Sequence, residues 1–179
     1  MRITKVYTRK GDDGTTSLGK GERVMKNSFR IIAFGSLDEL NSVIGVVLSE
    51  KINEKIISTL NITQQLLFHI GGELSVPSEK LNLLKSKDVN QLEEAIDDLN
   101  KDLPPLEDFV LPCGSKASAF LHQARAVCRR SERDLVNLDQ EEGINPLYIQ
   151  YINRLSDFLF VAARYSNFCD DIKENLWEK

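Results

Sequence analysis

Arg125, Arg129, Arg130 and Arg133 fall within nine residues of the segment Ser115 to Leu138, SKASAFLHQARAVCRRSERDLVNL. Arg125, Arg129 and Arg133 recur every fourth position, and Glu132 follows Arg129 by three, a spacing that stacks side chains along one face of a helix. That face is strongly cationic, and a basic row beside an apolar stripe suggests a site. Leu121, Ala124, Cys128, Leu135 and Leu138 lie on the same or neighbouring faces, so the helix also packs against the protein. A solvated face paired with carboxylates explains most charge runs of this kind. Two other stretches shift the balance toward a site.

The first is the N-terminal region. Residues 1–35 hold Gly11, Gly14, Gly19, Gly21 and Gly35, with Thr8, Thr15, Thr16 and Ser17 between them, and show no helical period. The spacing predicts a structured loop with a short strand over Ile3 to Thr8. Glycines let backbone amides approach an anion, hydroxyls add donors, and Arg9, Lys10 and Lys26 supply charge. The loop does not follow the Walker pattern, since GKGE stands where GK[ST] is needed, and DDGTTS lacks the downstream spacing of a calcium loop. Taken alone, the same residues describe a plain N-terminal arm equally well. The second stretch is Asn153, Arg154 and Asp157, a polar insert in an apolar helical pattern that requires partners.

At 179 residues, 41% apolar and 28% charged, the chain has the composition of one soluble domain. The start, MRITKVYTRKGDDG, lacks the apolar core of a signal peptide, and runs such as IGVVL and FLFVAA are too short to span a bilayer, which points to the cytoplasm. Cys113, Cys128 and Cys169 are odd in number without a CxxC pair, so reduced, packed thiols are expected rather than disulfides or a structural zinc site. With only His69 and His122, a histidine-based metal cage is not expected. The net charge of −4 is uneven: residues 1–30 carry eight Lys or Arg against Asp12, Asp13 and Glu22, a balance of +5 that leaves −9 elsewhere. A local positive arm on an acidic body suits a small polyanion better than a nucleic-acid duplex.

The elements that must position these residues read as helices. Ser36 with Glu39 forms a capping box before Leu37, Leu40, Ile44, Val47 and Leu48, with Asp38 in the first turn. A second helix runs from Asn53 to Ser75 and stops before Pro77; Gly71 and Gly72 weaken it or permit a close helix contact, and His69 reads as a buried structural histidine. Residues 78–87 read as polar linker. Asp88 with Gln91 signals the cap of an acidic amphipathic helix that Pro104 and Pro105 stop. The loop LEDFVLPCGSK carries an apolar patch, Phe109 to Leu111, and leads into the arginine helix, which Gly143 closes. Asn145 and Pro146 cap a last helix reaching about Phe168. Five helical segments with essentially no strand pattern give an all-α bundle in one domain, with residues 169–179 as a tail.

Read together, VYTRKGDDGTTSL, GSLDELNS, FVLPCG, LHQARAVCRRSER and NPLYIQYINRLSDFLFVAARYSN resemble, in order and spacing, the PduO-type ATP:cob(I)alamin adenosyltransferases. The resemblance runs from Val6 to Asn167 and is weakest over residues 50–108. It implies a five-helix bundle assembled as a homotrimer, with active sites between adjacent subunits. It assigns Thr8, Arg9, Lys10, Gly11, Thr16, Ser17 and Lys26 of the loop to ATP, with Arg129, Arg130, Glu132, Arg133 and Asn153 completing the pocket. Asp38 and Arg125 match a pair that bridges subunits. Phe109 matches a phenylalanine under the corrin ring that displaces the lower axial ligand. One departure is Cys113, where relatives commonly carry glycine.

The implied chemistry is nucleophilic displacement: cob(I)alamin attacks C5′ of ATP and triphosphate leaves, forming adenosylcobalamin. No protein nucleophile is required, which fits a chain without a Ser/His/Asp or Cys/His arrangement. Positioning and charge stabilisation by Lys, Arg and Mg²⁺ suffice, and Arg129 is the expected principal residue. Implied partners are a cob(II)alamin reductase and an adenosylcobalamin-dependent enzyme, with no nucleic acid or membrane. A non-catalytic ATP- or cobalamin-binding sensor or carrier of the same fold is the main alternative. An arginine-rich RNA-binding helix is a more remote one.

Overall fold

The computed structural model describes residues 7–79 and 81–178. Five helices follow a small hairpin: β1 (Thr15–Ser17), β2 (Arg23–Met25), α1 (Phe29–Leu48), α2 (Glu54–Leu74), α3 (Ser86–Asn100), α4 (Lys116–Glu142) and α5 (Pro146–Cys169). The all-α expectation holds apart from this hairpin, in which Thr16 pairs with Val24 in antiparallel register. The chain turns between its strands through Gly21, at φ 90°, whose amide returns to the Leu18 carbonyl. Of the strand expected over Ile3 to Thr8, the part before Tyr7 lies outside the described residues. Tyr7 and Thr8 belong to no strand.

α4 packs between α1 and α5, with α2 against α1 and α3 against α5. Leu40, Ile44, Leu60, Leu121, Ile152, Leu155 and Phe158 are all fully buried in the shared core. Each such side chain contributes about 1.5–3 kcal/mol by leaving water. Several polar groups inside are paired: Thr63 and Tyr151 hydroxyls meet at 3.1 Å, and the Ser131 hydroxyl donates to the Ser36 carbonyl at 2.8 Å.

That last contact corrects the reading of Ser36 as a helix cap. α1 begins at Phe29 behind Ser28, because Arg30 and Ala33 already turn into the protein. The Ser36 hydroxyl donates back to the Ala33 carbonyl at 3.0 Å, as serines within helices do. Asp38 therefore sits mid-helix, exposed and away from the helix N-terminus. Similarly, Lys85 rather than Asp88 precedes α3; the Asp88 carboxylate accepts the Lys85 amide at 2.7 Å from within the first turn. Leu84, in the expected polar linker, is buried.

The other helix signals hold. The Asn53 side chain accepts from the Lys55 amide, Ser115 from the Ser118 amide and Asn145 from the Leu147 amide, and Gly143 ends α4 at φ 68°. Gly71 admits the Phe34 ring, which would stand 3.1 Å from an added Cβ. His69 is half-buried rather than buried, and of the three free thiols Cys128 is buried while Cys169 is exposed. α1 is long and apolar enough to cross a bilayer, contrary to the reading of its shorter runs, but its Leu37, Leu40, Ile44 and Val47 pack into the bundle.

Candidate functional site

The N-terminal loop is braced from within. The Arg23 guanidinium donates to the Lys10 carbonyl at 2.6 Å, to the Asp13 carboxylate at 3.1 Å and to the Thr15 hydroxyl. Hydrogen bonds from the Thr15 hydroxyl and amide, with Arg23 close by, hold the Asp13 carboxyl below the usual aspartate range. Asp13 thus stays ionised and engages Arg23, which serves as a strut. Lys26 donates to the Gly11 carbonyl at 2.8 Å, and a Cβ on Gly11 would stand 3.1 Å from the Lys26 ammonium, so this contact favours glycine. Arg9 occupies the left-handed region at φ 60°, with its guanidinium 5.7 Å from the Tyr7 ring centroid. Thr16, Ser17 and Lys26 line one wall of a 330 Å³ cleft completed by Ile31 and Phe34 of α1 and Leu74 of α2.

The arginine row presents a second charged surface. Arg129 and Arg133 are exposed and make no ion pair among the described residues; Arg133 donates to the Arg129 carbonyl at 3.1 Å. Arg130, also expected at the nucleotide, pairs with Glu39 of α1. The Asn153 amide of α5 donates to Glu132 of α4 at 2.9 Å, a contact that joins two of the expected pocket residues. The rest of the polar insert is satisfied as well, since Arg154 donates to Glu93 of α3 at 2.7 Å and lies 3.6 Å from Asp157. Arg125 stacks 5.7 Å from the Phe160 ring centroid, with a buried Nε that has no hydrogen-bond partner. Asp38 and Arg125 do not pair within the chain.

Among the described residues Arg125, Lys51, Lys85, Lys87, Lys116 and Lys173 form no ion pair, and the charges nearest the candidate site and the braces of the fold sort into two kinds. Arg23, Arg30, Arg130, Arg154 and Arg164 are each held by a carboxylate, whereas Arg9, Lys10, Lys26, Arg129 and Arg133 form no ion pair among the described residues. The unpaired set is available to an external anion. Its members form two groups: no hydrogen bond or ion pair among the described residues joins loop positions 8–26 to Arg129, Glu132, Arg133 or Asn153.

Phe109 stands apart from both groups. The residue is 72% exposed, and its ring packs edge-on against Trp177 at 6.2 Å between centroids. The loop behind it is tied to α5 by Asn167, whose side chain accepts from the Ser115 amide at 3.0 Å and donates to the Cys113 carbonyl at 3.2 Å. Sequence reasoning missed Asn167, Arg23 and the packing of the tail onto this loop. An arginine in the apolar run FLFVAARYSN was the available signal for the last of these, because a charge on a buried face must be paired.

Residues 6–166 match the cobalamin adenosyltransferase family model. A cobalamin adenosyltransferase of Cupriavidus metallidurans is 48% identical over 99% of this chain and 96% of its own length. The corrinoid adenosyltransferase of Bacillus subtilis is 39% identical over 98% of this chain and 93% of its own. Among solved structures, a variant PduO-type ATP:corrinoid adenosyltransferase of Lactobacillus reuteri complexed with cobalamin and ATP superposes with a TM-score of 0.91 at 36% identity, covering 98% of this chain and 100% of that one. An arginine-to-lysine variant of that enzyme complexed with ATP gives 0.89 at 37% identity, covering 97% and 100%. Fold, motif order and full-length similarity agree, and the chain belongs to the cobalamin adenosyltransferase family, in its PduO-type branch.

Proposed function

We propose that this protein transfers the 5′-deoxyadenosyl group of ATP to cob(I)alamin at a site completed between two copies of the chain, and that Arg129 is its principal phosphate-binding residue. The cobalt(I) lone pair attacks C5′, the Co–C bond forms as the C5′–O5′ bond breaks, and the bonding electrons leave with triphosphate. Little covalent work falls to the protein. It aligns two large reactants and neutralises charge gathering on the leaving group.

The observation that carries this reading is the placement of cations without carboxylate partners on the N-terminal loop and along one exposed row of α4. Lys10 and Lys26 on the loop, with Arg129 and Arg133 on α4, are donors matched in number and type to a triphosphate. Thr8, Arg9, Gly11, Thr16 and Ser17 shape the loop around the nucleotide. Glu132 and Asn153, already bonded to each other, offer a polar surface to its ribose or base. No group of three or more His, Cys, Asp or Glu side chains forms a metal cluster among the described residues. Mg²⁺ fits here as an ion carried on phosphate oxygens, supplying further charge neutralisation.

The separation of the loop from the arginine row favours assembly. α1 and α2 expose Ile32, Phe34, Ile62 and Phe68 on their outer faces, an apolar surface that a second copy would cover. Asp38 emerges beside Phe34 and Phe68, and the buried Nε of Arg125 still lacks a partner. In a homotrimer, Asp38 of one copy would meet Arg125 of the next. Phe109, exposed at the far end of the loop, would lie under the corrin ring and exclude its lower axial ligand.

The test is an anaerobic optical assay with chemically reduced cob(I)alamin and Mg·ATP. We expect the cobalt(I) spectrum to give way to the light-sensitive adenosylcobalamin spectrum with release of intact triphosphate. Arg129→Ala should lose about 10²–10³-fold in turnover, as loss of a transition-state donor does. Arg129→Lys should recover only part, because an ammonium lacks the bidentate fork. Tight ATP binding without product would overturn the transferase reading and identify a sensor or carrier.

A further inference from the structure

Beyond α5 the chain doubles back onto the bundle. Asp171 adopts the left-handed region at φ 54°, and the Ile172 amide returns to the Asn167 carbonyl at 2.9 Å. Residues 175–177 then run antiparallel to 109–111: the Leu111 amide donates to the Asn175 carbonyl and the Trp177 amide to the Phe109 carbonyl, each at 2.8 Å, around a Val110–Leu176 bridge. Two short, largely exposed segments do not hold such a ladder by themselves.

What anchors the tail is Arg164. On α5, with 4% of its surface exposed, it donates from Nε and Nη2 to the two carboxylate oxygens of Glu174, at 2.8 and 3.0 Å. Nη2 also donates to the Pro104 carbonyl at 3.0 Å. One guanidinium therefore joins α5, the tail and the segment that leads into Phe109. The pair lines a 320 Å³ cleft together with Leu106, Phe168, Ile172 and Leu176, yet the Arg164 and Glu174 side chains stay largely buried, at 4% and 19% exposure. A buried ion pair gains little stability over a well-packed apolar cluster, so geometry is the better reason for its presence.

The geometry points to the Arg164–Glu174 pair as the positioning element of the corrinoid half of the site: it fastens the C-terminal tail along the Phe109 loop and so fixes where Phe109 stands. This rests on the reading of Phe109 as the corrin-side residue. Neither Arg164 nor Glu174 has a hydrogen bond or ion pair, among the described residues, to the loop at 8–26 or to Arg129 and Arg133. Releasing the pair should therefore affect one substrate and not the other.

Trp177 is the only tryptophan in the chain, so its fluorescence reports tail docking independently of catalysis. Glu174→Gln, which leaves the bundle core untouched, and Arg164→Met, which keeps an apolar side chain on α5, should both raise acrylamide quenching of Trp177. In steady-state assays the corrinoid KM should rise about tenfold, while the ATP KM stays within about twofold, as expected for loss of charge-assisted hydrogen bonds on one side of a two-substrate site. Arg164→Lys, unable to span both carboxylate oxygens, should fall between wild type and Arg164→Met. Unchanged quenching in Glu174→Gln, raised quenching with an unchanged corrinoid KM, or parallel rises in both KM values would each overturn the proposal. Phe109→Ala separates the two layers. If it leaves corrinoid kinetics intact while Glu174→Gln still frees Trp177, the assignment of Phe109 fails and the tie between tail and loop remains.

Discussion

His122 shows how one side chain can couple the site's surroundings to pH. It is buried on α4 with neither ring nitrogen hydrogen-bonded, edge-on to Phe160 at 6.1 Å. Burial pushes its pKa below the usual histidine value, Arg125 pushes it further down, and Glu174 opposes them. The unfolded chain, with an ordinary histidine pKa of about 6.5, then binds more protons than the folded chain once pH falls below that value, so stability drops as the solution is acidified. We predict that His122→Phe flattens the decline of melting temperature between pH 7 and pH 5, because no imidazole remains to be charged on unfolding. A decline as steep as that of the wild type would show that the acid sensitivity comes from other groups. Arg125 is a neighbour along α4, but Phe160 and Glu174 reach His122 from α5 and the tail, which spacing along the chain does not reveal.

At the scale of elements, what was legible depended on whether the signal is local. The cap expected at Asn145 acts within a few residues, and the structure uses it; Asn53 and Ser115, expected only as the starts of their helices, cap them in the same local way. Ser36 misled because the same serine pattern served an interhelical contact with Ser131, and only the packing of α4 on α1 decides between the two uses. Arg129 and Arg133 are exposed on α4, Glu132 meets Asn153, and Phe109 is exposed on its loop. The support behind Phe109 could not be read from spacing, because Arg164, Asn167 and Glu174 act across long stretches of chain.

Gly114 tests that support. It lies at φ 105°, and an added Cβ would stand 2.1 to 2.5 Å from atoms of the Asn167 side chain. Gly143, at φ 68°, would meet nothing within 4 Å. Gly114→Ala should cost about 1–3 kcal/mol in urea unfolding through backbone strain and displacement of Asn167. Gly143→Ala should cost only about 1–2 kcal/mol, the penalty of the left-handed backbone alone. Equal losses, or a smaller loss at Gly114, would mean that Asn167 can leave its place freely and does not hold the Phe109 loop.

For the whole molecule, the fold is visible from the order of five helices, but assembly is not. Apolar residues on the outer faces of α1 and α2 read from sequence as ordinary parts of helical stripes. Only the packed bundle shows which of them remain uncovered, as Phe34 and Phe68 do. The same holds for the site, because its two charged groups appear close in function and unconnected within one chain.

The most direct measurement of this account is complementation between two inactive chains. Lys26→Ala damages the loop and Arg129→Ala the α4 face, and each alone should have little activity. Co-expressed in equal amounts and purified together without separating the assemblies, they should recover about a quarter of wild-type adenosylcobalamin formation, because random assembly unites an intact loop with an intact α4 face at that share of interfaces. Mixed oligomers no more active than either parent would contradict a site shared between subunits and place the loop and Arg129 of one chain around the same nucleotide.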